Sequence, residues 1–178
     1  NLPSNKEMRK ADPSYNHPNK KHSRLVCLRG SLNEDTQNPF WKDLFKYIKN
    51  QYPEERTSVI LYHSLPGFDL WPHTDYSTKK ETTVYYLTDK EISDIGTAIF
   101  SVKEGFEIRD SKGDGHYDPE FFDVVKIAPF VPNGWMTFKR TDNSFHGVLP
   151  CPLDRWAIYF TRFHNAIKPS IQRTNPTL

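Results

Sequence analysis

From Thr57 to Phe163 the chain runs through short β-branched and aromatic stretches, each closed by turn residues, and no helical period falls between them. They are "TSVILYHSL" (57–65), "TTVYYLT" (82–88), "TAIFSV" (97–102), "DVVKIAPF" (123–130), "WMTFKR" (135–140), "FHGVLP" (145–150) and "RWAIYFTRF" (155–163). Runs of this length suit half-buried strands, because branched and ring side chains pack well on a pleated surface. A parallel sheet would need a crossover helix between successive strands, and the pattern has none. The expected class is mainly β with flanking helices: a sandwich, jelly roll or barrel.

What surrounds this block sets the domain plan. Phe40, Trp41, Leu44, Phe45 and Ile48 recur at helical spacing in "NPFWKDLFKYIKNQYP" (38–53), with Pro39 at the first turn and Pro53 as the stop. That segment reads as one helix lying against the sheet. Residues 1–37 form a polar leader, partly irregular, whose basic cluster "NKKHSR" (19–24) is a solvated face rather than a nucleic-acid arm. Residues 38–168 are the domain and 169–178 a tail; 178 residues suffice for one core and not for two. Apolar residues are only 36 % of the chain while aromatics are 14 %, so burial rests on large rings. A net charge of +2 gives no reason to expect nucleic acid or a membrane surface as partner, and no apolar run is long enough to span a bilayer. Cys27 and Cys151 have neither metal-type spacing nor a bridging framework, which makes a reducing cytoplasm the expected compartment.

Within the β block, "LWPHTDYS" (70–77) places His73 and Asp75 two residues apart, hence on one face of an extended strand. A His-x-Asp pair alone is common, and a hydrogen-bonded decoration at a strand end would account for it. His146, in "SFHGV", and Arg155, nine residues further at the start of the last strand, change the weighing. Two imidazoles and one carboxylate are the ligand set that leaves open positions on a redox-active iron. An Arg on a buried strand is what a dicarboxylate co-substrate needs for a bidentate partner. The segment "RDSKGDGHYDPE" (109–120) carries acidic residues at calcium-loop spacing, but Lys112 and Phe121 stand where ligands belong, so it reads as a turn-rich insertion beside the cavity. His63, His116 and His164 have no ligand-like sequence neighbours and read as structural or exposed. Trp71 reads as core or lid packing, and Trp135 and Trp156 as core or sheet-face residues.

The stretch from about Val59 to Phe163 resembles the catalytic barrel of the iron(II)- and 2-oxoglutarate-dependent dioxygenases, and is most similar to the prolyl 4-hydroxylase-like branch. The motifs that carry the resemblance are "GFDLWPHTD", "TTVYYLTD", "GTAIF" and "SFHGVLPCPLDRWAIYF", in that family's order. The resemblance implies a double-stranded β-helix, a jelly-roll or cupin-like barrel. It implies Fe(II) bound by His73, Asp75 and His146, with Arg155 pairing with the distal carboxylate of 2-oxoglutarate. Tyr86 falls where prolyl hydroxylases direct a tyrosine hydroxyl at that carboxylate, and Thr82 and Tyr62 are further lining residues. Leu70 stands where collagen-type enzymes have a tyrosine, and Ala157 replaces the Ser of another branch's Arg-x-Ser pair. The implied reaction hydroxylates an unactivated C–H bond and releases succinate and carbon dioxide, using O2 and with ascorbate as a further candidate cofactor. The substrate is a prolyl residue, an amino acid or another small metabolite. Asp75 at the carboxylate position favours hydroxylation over halogenation, which needs a small residue there.

Three other readings compete. A non-catalytic jelly-roll module binding a ligand or partner would not need Arg155 in register with His146. A redox-inert zinc site lacks any zincin helix motif. A nucleic-acid demethylase of the same fold is expected to carry a second Arg six residues after the co-substrate Arg, whereas Arg162 lies seven on and faces the other way.

Overall fold

The computed structural model describes residues 50–110, 113 and 115–164, helical residues 43, 46 and 47, and the backbone of residues 22–29. Nine strands follow in chain order: β1 (His22–Arg29), β2 (Thr57–Ser64), β3 (Phe68–His73), β4 (Lys79–Leu87), β5 (Thr97–Val102), β6 (Phe122–Ile127), β7 (Trp135–Lys139), β8 (His146–Cys151) and β9 (Arg155–Phe163). They form two sheets, ordered β1-β2-β9-β4-β7 and β3-β8-β5-β6, and every pairing is antiparallel. Two antiparallel sheets with strands drawn alternately from along the chain make the jelly-roll arrangement of a double-stranded β-helix, the expected class.

Side-chain alternation divides the larger sheet into two chemically distinct faces. On β4, Thr82, Val84 and Tyr86 point inward and are buried, while Thr83 and Tyr85 face out. β9 follows the same rule: Arg155, Ala157 and Thr161 are buried on the inner face. Val84, Tyr86, Ala157, Ala128, Phe130 and Ile95 join Cys151 in one apolar cluster between the sheets. Val59, Leu61 and Ile158 form a second cluster on the outer face, where Tyr52 packs on Phe160 with ring centroids 5.7 Å apart. Tyr52 follows a helical stretch, with Asp43, Lys46, Tyr47, Asn50 and Gln51 helical. The apolar positions expected for that helix, Phe40, Trp41, Leu44, Phe45 and Ile48, lie outside the described residues. A third cluster, Ala98, Phe100, Phe122 and Phe145, closes the end of the smaller sheet.

Two elements, β1 and β6, depart from the sequence expectation, and β3 is the extended strand read there. β1 forms within the segment read as a polar leader and pairs along β2, from His22 opposite Ser64 to Arg29 opposite Ser58. β3 is a strand although it contains Pro72, which lacks the N–H a central strand would use; it sits at a sheet edge, where that donor is not needed. β6 ends at Ile127 and not at Phe130, because Pro129 interrupts the ladder and Phe130 instead bridges Ile92. Trp135 is 66 % exposed and Trp71 47 % exposed, so neither belongs to the core. Among the described residues no helix is long and apolar enough to cross a membrane.

Candidate metal centre

The edge pairing of β3 with β8 builds the site. His73 and His146 are direct register partners, so both imidazoles leave the sheet at one level, with ring centroids 4.5 Å apart. Asp75 lies two residues beyond His73, just past the strand end. The ligand atoms of His73, Asp75 and His146 all fall within 4.8 Å of one another. The close approach of the strands requires Gly147: a Cβ there would stand 2.2 Å from the Leu70 carbonyl oxygen.

Hydrogen bonds settle how the imidazoles are presented. His73 Nδ1 lies 2.9 Å from the Trp71 carbonyl oxygen, and His146 Nδ1 lies 2.9 Å from that of Ser144. A carbonyl can only accept, so each Nδ1 carries the proton and each Nε2 keeps its lone pair for a metal. Burial holds the His73 pKa down to about 3, and neighbouring His146 adds to the effect. Burial also lowers the pKa of His146, against the opposing pull of Asp75. Both rings are therefore neutral at pH 7, the form that ligates. Asp75 is 8 % exposed, and burial alone would raise its pKa. The charge of Lys79, with hydrogen bonds from Lys79 and Thr82, outweighs that and lowers it. Lys79 pairs with Oδ1, and the Thr82 hydroxyl donates to Oδ2 at 2.7 Å. Thr82 thus supports the carboxylate of the triad.

A cavity of about 290 Å³ opens from this triad toward β2 and β9, walled by Tyr62, Leu70, Val148 and Tyr159. Tyr62 and Tyr159 meet edge to face at 4.5 Å. Arg155 is 2 % exposed. Its Nη2 donates to Thr97 Oγ1 at 3.3 Å, its guanidinium lies 5.4 Å from the Tyr86 ring centroid, and its Nε has no hydrogen-bond partner. No carboxylate pairs with Arg155 among the described residues. A buried guanidinium with an unused donor is costly unless an anion completes it, so these residues fit a carboxylate-bearing ligand.

Tyr86 is buried on β4 and meets Thr97 of β5. Its hydroxyl donates to Thr97 Oγ1 at 3.0 Å and accepts the Thr97 N–H at 2.8 Å. Thr97 Oγ1 in turn receives from Tyr86 and Arg155, which leaves its own proton for the cavity it lines. Sequence reasoning missed Thr97, although it stands in "GTAIF". It also missed Tyr159, which is four residues past Arg155 and so on the same strand face. Burial raises the Tyr159 pKa, and Arg155, to which it is hydrogen-bonded, opposes the rise.

His116 is exposed, as expected, and it also lies beside the triad. It has no ligand-like neighbour in sequence, yet its ring stacks on His73 at 4.6 Å and lines the cavity mouth. The loop that carries it is tied to β3: the Tyr117 N–H donates to the Pro72 carbonyl at 2.9 Å and the Thr74 hydroxyl to that of Asp110 at 3.0 Å. In that loop Asp110 Oδ1 accepts the Gly113 N–H and Asp118 caps the short 3-10 helix at Pro119–Phe121. His63 lies away from the triad, bonded to Asp154 at 2.9 Å and stacked on Trp156 at 3.9 Å. Arg162 faces outward, held by Glu55 at 2.6 and 2.8 Å and by Glu81 at 3.0 Å.

At the level of sequence, no protein-family model and no curated protein matches this chain. Solved structures do resemble it. A prolyl hydroxylase from Trichoplax adhaerens, in complex with a hypoxia inducible factor oxygen degradation domain peptide fragment, is 14 % identical with a TM-score of 0.52. That alignment covers 80 % of this chain and 62 % of the other, so this chain spans less than two thirds of its length. A prolyl-4-hydroxylase from Pseudomonas putida is 16 % identical over 90 % of this chain and 84 % of that one, with a TM-score of 0.49. The fold is thus a double-stranded β-helix similar to that of the prolyl hydroxylases, and a His-Asp-His triad lies in its barrel.

Proposed function

We propose that this chain is an Fe(II)- and 2-oxoglutarate-dependent dioxygenase that hydroxylates an unactivated C–H bond. The observation that carries the reading is the conjunction of a metal-type triad with a buried arginine bonded to Thr97 of the same cavity wall. Three metal-type ligands converge at the β3–β8 edge, and a buried Arg155 with an unpaired Nε lies deeper in the barrel. A non-catalytic binding module would require neither, still less both together.

In this reading His73 and His146 offer Nε2, and Asp75 offers a carboxylate oxygen, to Fe(II). Bound iron with 2-oxoglutarate and O2 supplies an oxidant strong enough to break a C–H bond, with succinate and carbon dioxide released. The chain's own residues do the rest. Arg155 and the Thr97 hydroxyl receive the distal carboxylate of 2-oxoglutarate, with Tyr86 bracing Thr97. Tyr62 and Tyr159 narrow the chamber, while Leu70 and Val148 keep water from it. Thr82 holds the Asp75 carboxylate in place. The substrate enters on the His116 side and is a prolyl residue, an amino acid or another small metabolite. The peptide-bound state of the Trichoplax enzyme makes a prolyl peptide the first compound to try. The buried free thiol of Cys151 agrees with a reducing, cytoplasmic setting.

The test is conversion of 2-oxoglutarate to succinate with and without Fe(II), with a substrate panel and with ascorbate as an additive. Succinate that depends on Fe(II) and vanishes in His146→Ala is the expected result. Absence of Fe(II) binding together with absence of succinate across the panel overturns the reading.

A further inference from the structure

Arg140 stands just past the end of β7 and contacts no ligand atom of the triad, yet three chain segments meet on its guanidinium. Nε donates to the backbone carbonyl of Asp75 at 2.9 Å, Nη2 to the carbonyl of Asp110, and Nη1 pairs with the carboxylate of Asp142. Its side chain is only 9 % exposed. The Asp110 carbonyl receives a second donor, the hydroxyl of the fully buried Thr74, which is the residue between His73 and Asp75. Gly113, at φ +73°, packs directly on the Asp75 peptide, and a Cβ there would stand 2.0 Å from the Asp75 carbonyl oxygen. The Asp75 carboxylate is thus held by Thr82 and Lys79, and its backbone by a separate set anchored on one arginine.

We propose that Arg140 is the positioning residue of the metal carboxylate, locking the Asp75 peptide to Asp110 and to the turn between β7 and β8. Asp75 lies beyond the last β3–β8 register pair, His73 with His146, so no ladder bond to β8 fixes it. A peptide at a strand end can rotate, and rotation swings the carboxylate away from the imidazoles. The planar, five-donor guanidinium suits this task because it can serve three acceptors in fixed directions, which an ammonium on a flexible stem cannot. The same lock secures one arm of the loop that brings His116 onto His73, and the Tyr117–Pro72 bond secures the other. Outer partners of this kind govern metal affinity without touching the metal.

The inference rests on the metal-centre reading and is tested by Co(II) binding, measured by equilibrium dialysis, beside the melting temperature. Arg140→Met is expected to weaken Co(II) binding at least roughly tenfold, and Arg140→Lys to recover little of it. Thr74→Val, which removes only the second donor to Asp110, is expected to weaken it by a smaller factor and serves if Arg140→Met does not fold. Arg162→Met is the control for a merely structural loss, because it removes the ion pairs to Glu55 and Glu81 on the outer face. It should lower the melting temperature and leave Co(II) affinity unchanged. Unchanged Co(II) affinity in Arg140→Met and Thr74→Val, or an equal loss in Arg162→Met, overturns the inference. A wild-type protein that binds no Co(II) overturns the metal centre itself, a distinct result.

Discussion

Two imidazoles a ring's width apart would repel if both were protonated, and the structure avoids this by keeping them neutral. Each spends Nδ1–H on a backbone carbonyl, and burial suppresses protonation of the other nitrogen. What remains is a pair of neutral donors beside a carboxylate that stays ionised, a polarity suited to a divalent cation. His146→Ala should therefore abolish Co(II) and Fe(II) binding while retaining β structure, as read by dialysis and circular dichroism. Arg155 is buried behind Thr97, which lines the cavity, and its proposed role is separable from the metal. Arg155→Ala should retain the metal yet lose 2-oxoglutarate affinity by about a hundredfold or more, in line with truncating a buried, hydrogen-bonded charge partner. Unchanged affinity in a direct 2-oxoglutarate titration would remove Arg155 from the proposed site.

At the level of elements, the edge pairing of β3 and β8 decides whether the ligands meet. Gly147→Ala should push β8 off the Leu70 carbonyl, cost about 1–3 kcal/mol by overpacking and weaken the metal site through His146. Denaturant unfolding and Co(II) dialysis on the same variant check both effects; retained affinity would mean that the two histidines tolerate strand separation. β4 contributes through Lys79, paired with Asp75 Oδ1, and through Thr82, bonded to Oδ2. Thr82→Val keeps the shape but leaves Asp75 Oδ2 without its 2.7 Å donor, so metal affinity should fall about tenfold at nearly unchanged fold. The strands themselves were largely legible: β2, β4, β5, β7, β8 and β9 lie where β-branched and aromatic runs predict them, because side-chain alternation is a local property. β3 was not legible as a run, since Pro72 and Asp69 break the pattern and only its place at a sheet edge makes it tolerable. The partners of β1 were hidden for a related reason, as nothing in a polar edge segment announces which strand it will lie beside.

Acid stability gathers these sites into one property of the whole molecule. His73 has an ordinary pKa of 6.5 in the unfolded chain and about 3 when folded. Between those values the unfolded state takes up a proton that the native state refuses, so stability is complete above pH 6.5 and is lost as pH falls toward 3. His146 and Asp75 are depressed in the same sense. Denaturant titrations of the metal-free protein at pH 7, 6 and 5 should show a steepening loss, about 1.4 kcal/mol per pH unit for each imidazole fully engaged. A flat profile would mean that the rings are protonated in the native state. By itself the sequence determined the β class and singled out His73, Asp75 and His146, which the structure brings together, because these follow from period, residue chemistry and motif order. Only the tertiary structure decided that His116 stacks on His73, that Tyr86 is spent on Thr97, that Thr82 serves Asp75 and that Arg140 grips the Asp75 peptide. Those contacts depend on which strands become neighbours and where a long loop comes to rest. Such distances are set by the closing of two sheets around one core, and no local pattern encodes them.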